Sequence, residues 1–230
     1  MRAILYHMHG EGIFLLTALA DVLFVFAASR LGRKWLLGTI AANLILIGIF
    51  GSKLVEFYGF ITNAGNAFYA CVFLATHFLL ERQSEGNRLE TVWFGVGVMV
   101  FFTTLSQFAV GLDPAPAGAA VSSALSTVFA FSPQVVLASM VAYLFAQHLN
   151  IWLYETLRAK NRGRHLWLRT NAANIAGQLV DTTIFFTIAF YDMTGYLILQ
   201  AIVVGCTVKI AVVLLGTPFL YIDRYLRARA

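Results

Sequence analysis

Seven stretches of mostly apolar residues, at 12 to 30, 35 to 57, 63 to 82, 91 to 111, 132 to 157, 169 to 191 and 194 to 221, leave this chain few ways to fold. Each is close to the roughly 20 residues that a helix needs to cross a hydrocarbon core about 30 Å thick. Hydrocarbon offers no partner to a bare N–H or C=O, so such segments must satisfy their backbones internally, as helices do. Alternating segments of about ten residues, the mark of a membrane barrel, do not occur. With 60% hydrophobic and only 12% charged residues, and short connections, nothing is left over for a soluble domain. The expectation is an all-α integral membrane protein of seven transmembrane helices, multi-pass in the cell membrane.

Basic residues bias the loops that carry them toward the cytoplasm. Arg30, Arg33 and Lys34 follow the first span, Arg82 and Arg88 the third, and Arg158, Lys160, Arg162, Arg164 and Arg169 the fifth; Arg224, Arg227 and Arg229 follow the last. The alternate connections at 58 to 62, 112 to 131 and 192 to 193 hold no Lys or Arg. This places the amino terminus outside and the carboxyl terminus in the cytoplasm. The net charge of +5 is thereby explained by topology, and a nucleic-acid partner is not implied. Only Arg2 precedes the first span and its positive cluster follows, so it reads as a retained anchor, not a cleaved signal. His7 and His9, before that span, read as solvated, and Cys71 and Cys206 as packing residues. Pro114 and Pro116 open a small-residue stretch, 112 to 133, read as an interfacial helix.

An ionisable side chain in hydrocarbon needs a partner or a wet cavity, because it costs roughly 2.5 to 3.5 kcal/mol at mid-bilayer. Asp21, Lys53, Glu56, His77, Glu81, His148, Asp181 and Lys209 are the cases in the apolar stretches. The sixth span adds three amides: Asn171, Asn174, Gln178 and Asp181 share an arc of about 80° on a helix at 100° per residue. Such a stripe can face a cavity while the remaining residues face lipid or neighbouring helices. Lys209, in the last span, is the natural ion-pair partner of Asp181.

His77 and Glu81 are four apart, but a zinc site needs a third protein ligand and HExxH is missing; no metal site and no cofactor is expected. Neither a phosphate loop nor a GxSxG elbow is present, so enzymatic chemistry has little support.

The segment GRHLWLRTNAANIAGQLVDTTIFFTIAF, residues 163 to 190, closely resembles the signature of the queuosine precursor transporter family, the vitamin-uptake-like transporters. ANLILIGIFGSKLVEFYG at 42 to 59, FYACVFLATHFLLE at 68 to 81 and VKIAVVLLGTPFLYIDRYL at 208 to 226 agree with it. The resemblance implies a six-helix core, residues 35 to 230, similar to the substrate-binding components of energy-coupling-factor vitamin importers, with residues 1 to 34 as an extra helix. It also implies uptake of 7-deazaguanine precursors of modified tRNA bases, with Asn174, Gln178, Asp181 and Lys209 as ligand contacts. Asn171, Asn43 and His77 join them as candidate substrate-binding residues. Two positions depart from the family pattern: His77 stands for the Asp of FLxTD, and the fifth-span QxxD motif is here Gln147 to Asn150.

A guanine-like ring suits such a face. Its adjacent N–H donors can meet Asp181, its carbonyl an amide nitrogen, and aromatic rings such as Phe68, Tyr69 and Phe73 can cover its faces. The leading expectation is a secondary transporter of a nucleobase. A substrate-binding component that docks on an ATP-driven module is the alternative, and an intramembrane enzyme using His77, Glu81 and His148 the third reading. Small residues Ala18, Ala20, Ala41 and Ala42 could support such docking, or a homodimer.

Overall fold

The computed structural model describes residues 10–58, 60–82, 89–130, 133–192, 195–227 and 229. His7, His9 and Arg88 lie outside them. Among the described residues the elements run α1 (Gly10–Leu31), α2 (Arg33–Phe50), β1 (Leu54–Phe57), β2 (Phe60–Asn63), α3 (Asn66–Arg82), α4 (Glu90–Val110), a 3-10 turn (Pro116–Gly118), α5 (Ala119–Val128), α6 (Pro133–Lys160), α7 (Leu166–Ala189) and α8 (Gly195–Arg227). α1 and α2 are separated only by Gly32, whose φ of 110° is open to glycine and to few other residues. α5 is the helix expected in the 112 to 133 stretch.

Seven membrane spans are not what forms. Among the described residues five helical segments are long and apolar enough to cross a bilayer: Gly10–Leu31, Arg33–Phe50, Glu90–Val110, Pro133–Lys160 and Ile202–Arg227. α3 has 17 residues, about 25 Å at 1.5 Å per residue, short of the hydrocarbon thickness. α7 has 24 residues, but Arg169 and its polar stripe lower its hydropathy. α3 owes its place to protein surroundings, whereas α7 is buried on one side and exposed at Trp167, Leu168 and Leu179 on the other. The seven-span arrangement with its outside amino terminus is therefore replaced by five segments of spanning length plus the enclosed α3 and the more polar α7, and the fold assigns no side of the bilayer to either terminus.

The second span also ends early. α2 stops at Phe50, and the chain turns into an antiparallel hairpin that pairs Leu54 with Asn63 and Phe57 with Phe60. Lys53 and Glu56, expected inside hydrocarbon, are exposed there. The hairpin leads directly into α3, where the Asn63 side chain accepts from the Asn66 backbone N–H at 2.9 Å and satisfies a first-turn donor.

α3 is the axis of the molecule. Asn66, Ala67 and every residue from Ala70 to Leu80 are buried, against α1, α2 and α8. Ala18 belongs to this interior, so it is not available to a second chain. Outward surfaces carry Leu23 and Phe24 of α1, Phe101 and Phe108 of α4, Phe145 of α6 and Leu214 of α8, as lipid-facing helices require.

One end of the bundle is tied by charge. Asp223 is fully buried and is met by Arg82 at 2.6 Å, Arg227 at 2.8 Å, Arg30 at 3.5 Å and the Ser29 hydroxyl at 3.3 Å, joining α1, α3 and α8. Beside it Glu81 accepts from Tyr154 and from Arg169, joining α3, α6 and α7. Arg169 is only 2% exposed, so it is an interior counter-ion and not the cytoplasmic loop charge expected from its place in sequence. All four tryptophans, Trp35, Trp93, Trp152 and Trp167, sit exposed toward this same end on four different helices.

Candidate substrate-binding site

The polar stripe of α7 turns inward, toward α3, α6 and α8. Asn174, Gln178 and Asp181 are 1, 0 and 5% exposed, so the stripe is enclosed by neighbouring helices and does not open on solvent. α6 comes close enough for this because position 177 is glycine: a Cβ there would meet the Phe73 ring and the backbone of Ala146. Backbone approach of this kind is how small residues bring membrane helices together.

At one end of the stripe Asp181 forms the ion pair expected with Lys209, at 2.8 Å. The Tyr69 hydroxyl donates to the other carboxylate oxygen of Asp181. Lys209 also donates to Thr182 at 3.2 Å, and its ammonium lies 4.4 Å from the centre of the Tyr69 ring. Mutual neutralisation together with these bonds makes two buried charges tolerable in an apolar bundle. The buried Phe73 ring follows, 5.5 Å from Tyr69.

At the other end His77 bridges α6 and α7. Asn174 donates to His77 Nδ1 at 3.3 Å, and His77 Nε2 meets Asn150 Oδ1 at 3.0 Å. Both contacts are satisfied at once by a neutral imidazole protonated at Nε2. Around them six buried side-chain polar atoms of α6 and α7 have no hydrogen-bond partner: both of Gln147 and of Gln178, Asn150 Nδ2 and Asn174 Oδ1. Each unsatisfied group costs about 1 to 3 kcal/mol, which a protein tolerates where the groups serve something other than stability.

Of the ten residues singled out from the sequence, Asn174, Gln178, Asp181, Lys209, His77, Tyr69 and Phe73 come together. Three do not. Asn171 accepts from Thr217 toward the charged end, Phe68 stacks on Phe50 of α2 at 6.0 Å, and Asn43 donates to Asp21 between α1 and α2. Gln147 and Asn150, which stand at the altered QxxD motif but were not counted as contacts, add to this face from α6. Their i, i+3 spacing repeats that of Gln178 and Asp181, so a search for paired polar stripes would have found them.

The residues of the metalloenzyme reading are engaged separately. His77 contacts amides, Glu81 contacts Arg169, and His148 contacts the Leu144 carbonyl; no group of metal-ligating side chains forms among the described residues.

A helical, multi-pass membrane protein with a buried ion pair beside an enclosed, under-satisfied polar face has the build of a membrane transporter, since ionisable groups inside a bilayer mark substrate or ion pathways. Residues 63–222 match the family described as "Putative vitamin uptake transporter". Over 185 residues the chain is 31% identical to a Bacillus subtilis (strain 168) protein described as "Probable queuosine precursor transporter", covering 80% of this chain and 78% of that one. The chain belongs to this family of vitamin uptake transporters; it is a transporter of the cell membrane and not an enzyme. No solved structure matches it.

Proposed function

We propose that the chain imports a 7-deazaguanine-type precursor of queuosine or archaeosine, such as preQ0, preQ1 or queuine, as a secondary transporter. The base is held between α3, α6, α7 and α8 by Asn174, Gln178, Asp181, Gln147 and Asn150, with Tyr69 and Phe73 as aromatic cover. The reading is carried by the six partnerless polar atoms of Gln147, Asn150, Asn174 and Gln178. They are amide groups that mix donors with acceptors, the pattern that the edge of a neutral heterocycle complements. Asp181 can accept from adjacent ring N–H and amino groups once Lys209 and Tyr69 yield part of their hold.

The test is uptake of labelled preQ1 by liposomes holding the purified protein alone, together with ligand-induced thermal stabilisation. Gln178→Met removes two unsatisfied atoms, so it is expected to leave the ligand-free protein at least as stable as wild type while abolishing stabilisation by preQ1. Unchanged stabilisation in Gln178→Met would remove this face from binding. Binding without flux would assign the chain instead to a complex with an ATP-driven module.

A further inference from the structure

Asp21 lies at the middle of α1 (Gly10–Leu31), ahead of the family-matched residues 63–222 and on a helix that contributes nothing to the polar face above. It is 8% exposed. One carboxylate oxygen accepts from Asn43 at 3.1 Å, and the other has no hydrogen-bond partner. The other buried carboxylates among the described residues each have a cation: Asp181 has Lys209, Glu81 has Arg169, and Asp223 has arginines. Asp21 has none.

What faces it can be named element by element. From α2 comes the Asn43 amide, and from α3 the Cys71 thiol, itself fully buried. α8 meets α1 through Asp223, at Ser29 and Arg30 near the helix end, while its Lys209 is held by Asp181. Glu56 of β1 is exposed, with its backbone near Gly10 at the opposite end of α1. Among the described residues no neighbour supplies positive charge, and an unpaired carboxylate inside a helix bundle is costly. A bound proton removes that charge without repacking. Asn43 then donates to the carbonyl oxygen, and the Cys71 sulfur that faces the carboxyl group is a weak acceptor.

We propose that Asp21 is a proton-binding site that couples import to the proton gradient, an inference that rests on the transporter reading above. α3 is the connecting element. Its Cys71 faces Asp21, while its Tyr69 and His77 hold Asp181, Asn150 and Asn174. Movement of α3 on release of the base changes the surroundings of Asp21, which gives up its proton as a carboxylate and takes another before the bundle closes again.

The experiment uses liposomes carrying wild type, Asp21→Asn or Asp21→Glu, with labelled preQ1 as probe. An inward proton gradient of one pH unit should drive about tenfold accumulation by wild type, the factor equivalent to one proton per base. Asp21→Asn should still exchange labelled for unlabelled base but should not accumulate it, and Asp21→Glu should accumulate. Infrared spectra at neutral pH should show a carboxylic C=O band that is lost in Asp21→Asn and displaced in Asp21→Glu. Accumulation by Asp21→Asn equal to wild type, accumulation driven by sodium in place of protons, or absence of the carboxylic band would each overturn the assignment. Wild type that neither exchanges nor accumulates base would instead remove the transporter reading, and the infrared band would still decide the state of Asp21.

Discussion

Asp181 and Lys209 are joined at 2.8 Å with 6% and 8% of their side chains exposed, so either one alone would be a stranded charge. Breaking such a pair from one side costs about 3 to 5 kcal/mol, whereas replacing both members by apolar groups is often neutral. Lys209→Met should therefore lower thermal stability in detergent by an amount of that order. The double variant Asp181→Leu with Lys209→Met should recover most of the loss and still fail to take up preQ1. A double variant no more stable than Lys209→Met would show that the pair is not the unit. This pair was legible in the sequence because two opposite charges in apolar spans have few other ways to be neutralised. Gln147 and Asn150 were not singled out as contacts for the opposite reason. A neutral side chain that can hydrogen-bond another helix incurs little cost, and its lack of a partner shows only once its neighbours are in place.

At the scale of elements, α3 shows how hydrophobicity can mislead about a span. Its 17 residues are apolar because protein surrounds them, and the length needed to cross hydrocarbon is missing. The hairpin was hidden in the same way: LVEF and FITN are each four residues long, too short to interrupt the apolar pattern on either side. Among the ties of α3 to α6 and α7 is Tyr154, which donates to Glu81 and accepts from Arg169 Nε at 3.1 Å. Tyr154→Phe keeps the ring and removes both bonds, leaving a buried guanidinium N–H unmet at a cost of about 1 to 3 kcal/mol. Its expected signature is a lower melting temperature together with faster amide exchange in the last turns of α3, the helix that should otherwise exchange most slowly. Unaltered exchange there would mean that α3 is held by packing alone.

Over the whole molecule, polarity is sorted along the bundle axis. The exposed indoles of Trp35, Trp93, Trp152 and Trp167 lie toward the end that carries the Asp223 and Glu81 networks, in the manner of an interfacial aromatic belt. Tryptophan emission in liposomes should be quenched strongly by lipids labelled near the headgroup and weakly by lipids labelled at the chain ends. The reverse order would mean that the bundle sits deeper than its belt implies. Asp223, holding three guanidinium groups from three helices, has a mechanical consequence. A passage through that mouth has to undo a knot of ions all at once, while the described residues of the far mouth are tied by a short ribbon lying across α1 and α8 and by the Gln134 amide on the Ile188 and Ala189 carbonyls. The two doors of the carrier therefore have unequal latches, and the slower half of its cycle should be the one that unfastens the arginines.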